Sequence, residues 1–140
     1  MSKVIFIFLT GLIMVMTAIS VDRQGFATEA KEKLVRLGDG YALSDDEVKI
    51  MTDKALKGDP ESAFRLSLYY EFAKRNHTES DFWLKISAEN GHPVGQYNLG
   101  IGLLLDDPDP RNRQRARFWI ERAAANGNSR AKERLKNLPK

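Results

Sequence analysis

From Ser44 onward, apolar and small residues recur every three or four positions and polar ones fill the intervals, as in Ser62, Leu66 and Tyr70. Positions spaced in this way share one stripe of a helix, and an apolar stripe has to be buried against a neighbour. The pattern predicts helices at about 28–37, 45–57, 60–75, 79–90, 93–105, 110–125 and 129–137. No stretch of useful length alternates apolar with polar, so no strand is expected. The breaks carry helix signals. Asp59-Pro60 and Asp109-Pro110 each put an N-cap before a proline at the first helical position, and His92-Pro93 repeats the proline placement. Ser44 with Glu47 reads as a capping box, and Thr78 with Asp81 as a similar arrangement.

Within this pattern two segments echo each other. "WLKISAENG" at Trp83–Gly91 and "WIERAAANG" at Trp119–Gly127 share Trp, a small residue, Ala, Asn and Gly in one register. The phase extends further. Gly58, Gly91 and Gly127 are 33 and 36 residues apart; each is followed at plus four by a small residue (Ser62, Gly95, Ala131) and at plus eight by Leu (Leu66, Leu99, Leu135). Ala55, Ala88 and Ala124 precede the glycines by three, and the Trp slot holds Ile50 in the first copy. A period in this range marks a stack of supersecondary units, each contacting mainly its neighbours. Each glycine suits the left-handed conformation that ends a helix. The reading is an all-α stack of antiparallel helix pairs, with residues 26–57 an N-terminal cap or half-repeat, 58–91 and 92–127 two repeats, and 128–140 a C-terminal cap helix.

The N-terminus differs from everything after it. One positive charge, Lys3, precedes a mostly apolar run from Val4 to Ile19, marginal against the roughly 20 apolar residues of a spanning helix. Ala18 and Ser20 suit a signal-peptidase site after Ser20, with a second after Ala27. Residues 1–20 therefore read as a secretory signal, or as an anchor if uncleaved, and residues 21–140 as one domain working in a bacterial periplasm. There are no cysteines, which removes disulfides, thiolate metal sites and a cysteine nucleophile, so stability has to come from packing. A formal net charge of only +3 and the export segment argue against a nucleic-acid partner.

Motifs for chemistry are scarce. His77 and His92 read as turn and cap residues, without the helical His pair of a zinc site. Gly100–Gly102 sits inside a helical pattern and reads as helix packing. Asp106, Asp107 and Asp109 with Asn112 lack the ligand spacing and central glycine of a calcium loop. No enzyme, metal or cofactor is expected. Two surfaces are better candidates for binding a protein. "RNRQRAR" at Arg111–Arg117 places Arg111 with Arg115 and Arg113 with Arg117 in i,i+4 rows, a docking patch for an acidic partner or a solvated face balanced by nearby carboxylates. Arg65 with Tyr69, and Tyr97 with Asn98 one repeat later, lie beside the core stripe; if exposed, they form an aromatic groove along the first helices. Tyr70 continues the core stripe instead.

"GHPVGQYNLGIGLLL…QRARFWIERAAANG" resembles a Sel1-like repeat, a relative of the tetratricopeptide repeat, through Gly91, Gly95, Tyr97, Leu99, Gly100, Ala116, Trp119, Ala123, Ala124 and Gly127. A weaker copy spans Gly58–Gly91, where Ser67 replaces the glycine found at Gly100, and the Gly-rich turn usual between paired helices is absent. The resemblance implies a short right-handed α-solenoid of two to three repeats that binds other proteins in a concave groove, without intrinsic catalysis. For a small exported member it implies an immunity protein that sterically neutralises a toxic effector, such as a lipase delivered by type VI secretion, or alternatively an adaptor for an envelope or signalling complex. Membrane contact is expected only through an uncleaved N-terminal segment, and the open ends of the stack allow a homodimer.

Overall fold

The computed structural model describes residues 39–106 and 109–138. The expected signal segment and the helix at 28–37 lie outside them, as does the boundary at residue 26; the compact unit described below begins at Tyr41. Among the described residues no helix is long and apolar enough to cross a membrane. From Tyr41 on, the described residues form six α-helices: α1 (Asp45–Leu56), α2 (Pro60–Leu68), α3 (His77–Glu89), α4 (Pro93–Asp106), α5 (Pro110–Ala125) and α6 (Ser129–Lys136), and a π-helical turn, Tyr69–Ala73, extends α2. They stack as antiparallel pairs, α2 with α3 and α4 with α5, with α1 and α6 at the two ends.

The helix ends follow from their side chains. Ser44 and Glu47 form the reciprocal capping box, with Glu47 N–H donating to Ser44 Oγ (3.3 Å) and Ser44 N–H donating to the Glu47 carboxylate (2.8 Å). Asp59 accepts from Ser62 N–H at 3.0 Å, Asp109 from Arg111 N–H at 2.8 Å and Asn128 from Ala131 N–H at 3.0 Å. The helix expected from residue 79 starts earlier. Asn76, not Thr78, caps it, accepting from Glu79 N–H at 3.2 Å, because Arg75 in the left-handed region (φ 53°) turns the chain one step ahead of Asn76. Gly58, Gly91 and Gly127 stop their helices with φ of 93°, 96° and 93°, the conformation that explains their register.

Packing explains the small residues. Ala55, Ala63, Leu66 and Trp83 form one buried cluster, joined by Val48, Met51, Tyr70 and Ile86. Ile120, Ala123 and Ala131 form the second, joined by Tyr97, Ile101, Leu104 and Leu135. The first half of the Gly100–Gly102 packing expectation holds: a β-carbon on Gly100 would stand 2.7 Å from Ile120 Cγ1. Gly102 has nothing within 4 Å of that position, so it serves no close approach. The Trp slot differs in burial from copy to copy: Ile50 is 54% exposed, Trp83 is 6% exposed and Trp119 is half-buried. Trp83 Nε1 is buried without a hydrogen-bond partner among the described residues.

Polar side chains stitch one repeat to the next. The asparagine of the echoed segment has a specific task in the second copy: Asn126 donates to Gly91 O (3.3 Å) and to Gln96 Oε1 (2.9 Å). Gln96, fully buried, donates to Ala88 O at 3.0 Å, and Asn128 donates to Pro93 O at 3.1 Å. Ser87 donates to Pro60 O at 3.0 Å. Ser87 and Gln96 are thus buried with their polar groups paired across helix junctions.

Candidate partner-binding surfaces

The first helices of successive pairs, α2, α4 and α6, lie side by side: Phe64 on α2 stacks on His92 just ahead of α4 (4.2 Å), and Tyr97, Ile101 and Leu104 of α4 pack with Ala131 and Leu135 of α6. Their uncovered edge carries the proposed groove residues, and the structure separates these. Arg65 and Asn98 are exposed as expected. Tyr69 is not. It is 4% exposed, with its ring edge-on to Tyr70 at 5.0 Å and the Lys74 ammonium 5.4 Å above it. The cause is its place on the helix: Tyr69 follows Leu66 by three residues and Ser62 by seven, so it shares their buried stripe. The π turn starts only there, with Lys74 N–H bonded to Tyr69 O, while Tyr69 N–H still bonds back to the Arg65 carbonyl. The hydrogen bond between Lys74 and the Tyr69 phenol, and then the electrostatic attraction between them, raise the Lys74 pKa above its usual value.

Tyr97 is half-buried and lines a cleft of about 500 Å³ with Pro93, Val94, Asn126, Asn128 and Arg130. The rim is held by the asparagine hydrogen bonds just described, so the cleft is formed in advance. Arg130 and Arg134 of α6 were not singled out in the sequence. Arg134, however, occupies the register of Arg65 and Asn98, seven residues after Gly127 as they are after Gly58 and Gly91. All three are exposed, and none makes a hydrogen bond or ion pair through its side chain among the described residues. They form a row of unspent donors across three helices.

The arginine row on α5 divides. Arg111 is engaged by Asp109 at 3.0 Å, and Arg117 by Glu121 at 2.8 Å. Hydrogen bonds from the Arg111 backbone and then its guanidinium, with a smaller contribution from Arg113, hold the Asp109 carboxyl below its ordinary pKa. Arg113 is exposed. This is largely the balanced, solvated face, since exposed pairs of this kind contribute little. The opposite side of α5 is different. Arg115, Phe118 and Arg122 fall at intervals of three and four, all exposed, facing away from buried Ala116, Ile120 and Ala123, with the Asp109-paired Arg111 one turn earlier on the same stripe. The i,i+4 spacing showed only Arg111 and Arg115 of this stripe. The periodicity continuing to Phe118 and Arg122 was the signal that could have found the rest.

A stack of antiparallel helix pairs with a pre-formed edge of donors is the architecture of a helical-repeat protein of the kind that binds other proteins. The Sel1 repeat matches residues 60–92 and 93–128, the same two pairs seen in the structure. The chain is 37% identical over 105 residues to the uncharacterized protein YibG of Escherichia coli (strain K12), covering 71% of this chain and 67% of that protein. This chain belongs to the Sel1-repeat family, a protein-interaction fold. No solved structure matches it.

Proposed function

We propose that this protein is exported to the periplasm and acts by binding one partner protein along the open edge of α2, α4 and α6, blocking the partner sterically as an immunity protein blocks a toxic effector. The observation that carries this reading is the row Arg65, Asn98 and Arg134: one donor-bearing side chain per repeat, equivalent in register, exposed and uncommitted among the described residues. The cleft at Tyr97 and Arg130 lies beside that row and supplies an apolar floor for one or two partner side chains. Arginine and tyrosine on a rigid scaffold are the residue types that dominate interface energetics. Directional donors favour carboxylates or main-chain carbonyls on the partner. The apolar run at Val4–Ile19 supports export.

The test is capture from the organism's own envelope and secreted fractions with the full chain, alongside an Arg65→Glu/Arg134→Glu variant and an Arg113→Glu control. The expected result is one stoichiometric toxic hydrolase, released by the double variant and kept by the control, whose toxicity is relieved when the chain is co-expressed. Capture of several envelope proteins without growth protection would replace the immunity role with that of an adaptor. A partner indifferent to the double variant would remove the open edge as the binding face.

A further inference from the structure

A second surface lies on the other helix layer, and the reading above does not use it. Phe82 on α3 and Phe118 on α5 occupy the same position of successive repeats, one residue before each Trp. They are 50% and 49% exposed. Each ring stands edge-on against its neighbouring Trp, Phe82 on Trp83 at 5.0 Å and 77°, Phe118 on Trp119 at 5.1 Å and 73°. Because Trp83 is buried and Trp119 half-buried, the two phenylalanines are fixed knobs on one face. Around Phe118 the face is cationic. Arg122 holds its guanidinium over both the Phe118 and Trp119 rings, at 5.6 and 5.8 Å, and Arg115 makes no hydrogen bond or ion pair among the described residues.

The repeat itself does not require these arginines. The residues equivalent to Arg115 and Arg122 in the first repeat are Glu79 and Ile86, and the packing of α5 is supplied by Ala116, Ile120 and Ala123. The positive charge is therefore an addition to one repeat. It is also regional: from Pro110 to Leu138 there are nine Arg or Lys against two Glu.

We infer that this outer face of α5, with Phe118 at its centre, is a contact site for an anionic phospholipid surface. The charge on the face is complementary to phosphate headgroups. Its apolar groups are projecting knobs, not grooves. A bilayer interface accepts such knobs anywhere, whereas a protein partner would need two cavities spaced to the repeat. Aromatic rings set among arginines also match the chemistry of the headgroup layer, where rings lie under the phosphates and guanidinium groups bond to them. Placed on the layer opposite the partner-binding edge, the contact would leave that edge open, so a partner could be held at a membrane surface.

The two tryptophans supply a local probe. In the full chain, Trp83→Phe leaves Trp119, next to Phe118, as the sole indole, so membrane attachment of any other segment does not mimic the signal. The measurement is quenching of Trp119 by brominated lipid in vesicles of phosphatidylglycerol mixed with phosphatidylcholine. The expected result is salt-sensitive quenching that is absent in pure phosphatidylcholine and falls at least about threefold with Arg115→Glu/Arg122→Glu, as loss of two surface cations predicts. Phe118→Ser should weaken it as well, and helical circular dichroism confirms that these exposed-site variants stay folded. No quenching, quenching equal in neutral vesicles, or quenching untouched by the arginine variant would each overturn the assignment. So would capture of a protein partner that depends on Arg115 and Phe118 in the absence of lipid quenching.

Discussion

Gly100 on α4 lies so close to Ile120 on α5 that a β-carbon at Gly100 would stand 2.7 Å from Ile120 Cγ1 and 3.0 Å from the Ala116 carbonyl oxygen. One of those neighbours is backbone and the other is fully buried, so neither can yield freely. Gly100→Ala should destabilise the protein by about 1–3 kcal/mol, the usual cost of overpacking. Gly102→Ala, two residues on in the same helix, meets nothing within 4 Å. It should stabilise by about 0.5–1 kcal/mol through helix propensity alone. Urea unfolding of the two single variants checks both signs, and a Gly100→Ala protein as stable as the parent would contradict the packing argument.

His92 joins two repeats through both ring nitrogens. Nδ1 accepts from Gly95 N–H at 3.0 Å, capping α4, and Nε2 faces the Glu61 carboxylate at 3.0 Å, while the ring stacks on Phe64 at 4.2 Å. An accepting Nδ1 and a donating Nε2 define the neutral Nε2–H tautomer. His92→Ala should cost about 1–2 kcal/mol, chiefly the lost cap. His92→Asn, which can still cap, should recover part of it. Nitrogen NMR of the imidazole reads the tautomer directly, and an Nδ1–H form would refute the cap.

Three carboxylates carry helix starts and titrate below their ordinary range. Glu47 is lowered by hydrogen bonds from the Ser44 backbone and then its hydroxyl, Asp59 by the Ser62 hydroxyl and then its N–H, and Asp109 by the Arg111 N–H and then its guanidinium. A depressed folded-state pKa means that the unfolded chain binds more protons in this range, so stability rises with pH there. The contribution is complete above the unfolded values near 4 and is lost as pH falls through the lower folded values. Unfolding midpoints measured from pH 6 to pH 2.5 should decline through the acid end of that range, and Asp59→Asn should make the decline shallower. An unchanged slope in Asp59→Asn would remove that cap from the account.

The two tryptophans should report different environments. Trp83, 6% exposed, should emit at shorter wavelength and resist iodide or acrylamide, while half-buried Trp119 should be quenched. Trp83→Ala should cost about 3–5 kcal/mol, as for other large-to-small changes in a core. Trp83→Phe removes an indole N–H that has no partner among the described residues, so it should cost far less than the volume change alone suggests. Single-tryptophan variants with thermal unfolding separate these outcomes; equal quenching of both residues would contradict the burial.

Residues acting within one helix or one turn were legible without the fold. Gly58, Gly91 and Gly127 announced both the period and the helix ends, because a left-handed stop is a local demand of the backbone. Ser44, Glu47, Asp59 and Asp109 announced the starts for the same reason. The small residues at Gly95, Gly100, Ala123 and Ala131 announced a buried stripe because helical spacing alone puts them on one face. What depended on a neighbouring helix was not legible. The burial of Tyr69, by contrast, was open to the sequence, since it lies three residues after Leu66 and seven after Ser62, on the stripe that spacing alone buries. Arg111 and Arg117 read either as docking residues or as part of a balanced face, and it took the fold to show Asp109 and Glu121 paired with them.

The sequence by itself determined that the described residues form a stack of paired helices, where most of those helices begin and end, and which stripe of each is buried. Those are consequences of spacing, capping and glycine conformation, and they act over a few residues. Only the tertiary structure decided which exposed side chains are already spent on neighbours and which remain free to bind. It alone placed Arg65, Asn98 and Arg134 along one edge and Phe82 and Phe118 on the opposite layer. Exposure and pairing belong to surfaces made by several helices together, and one helix's periodicity cannot specify what another brings to its side.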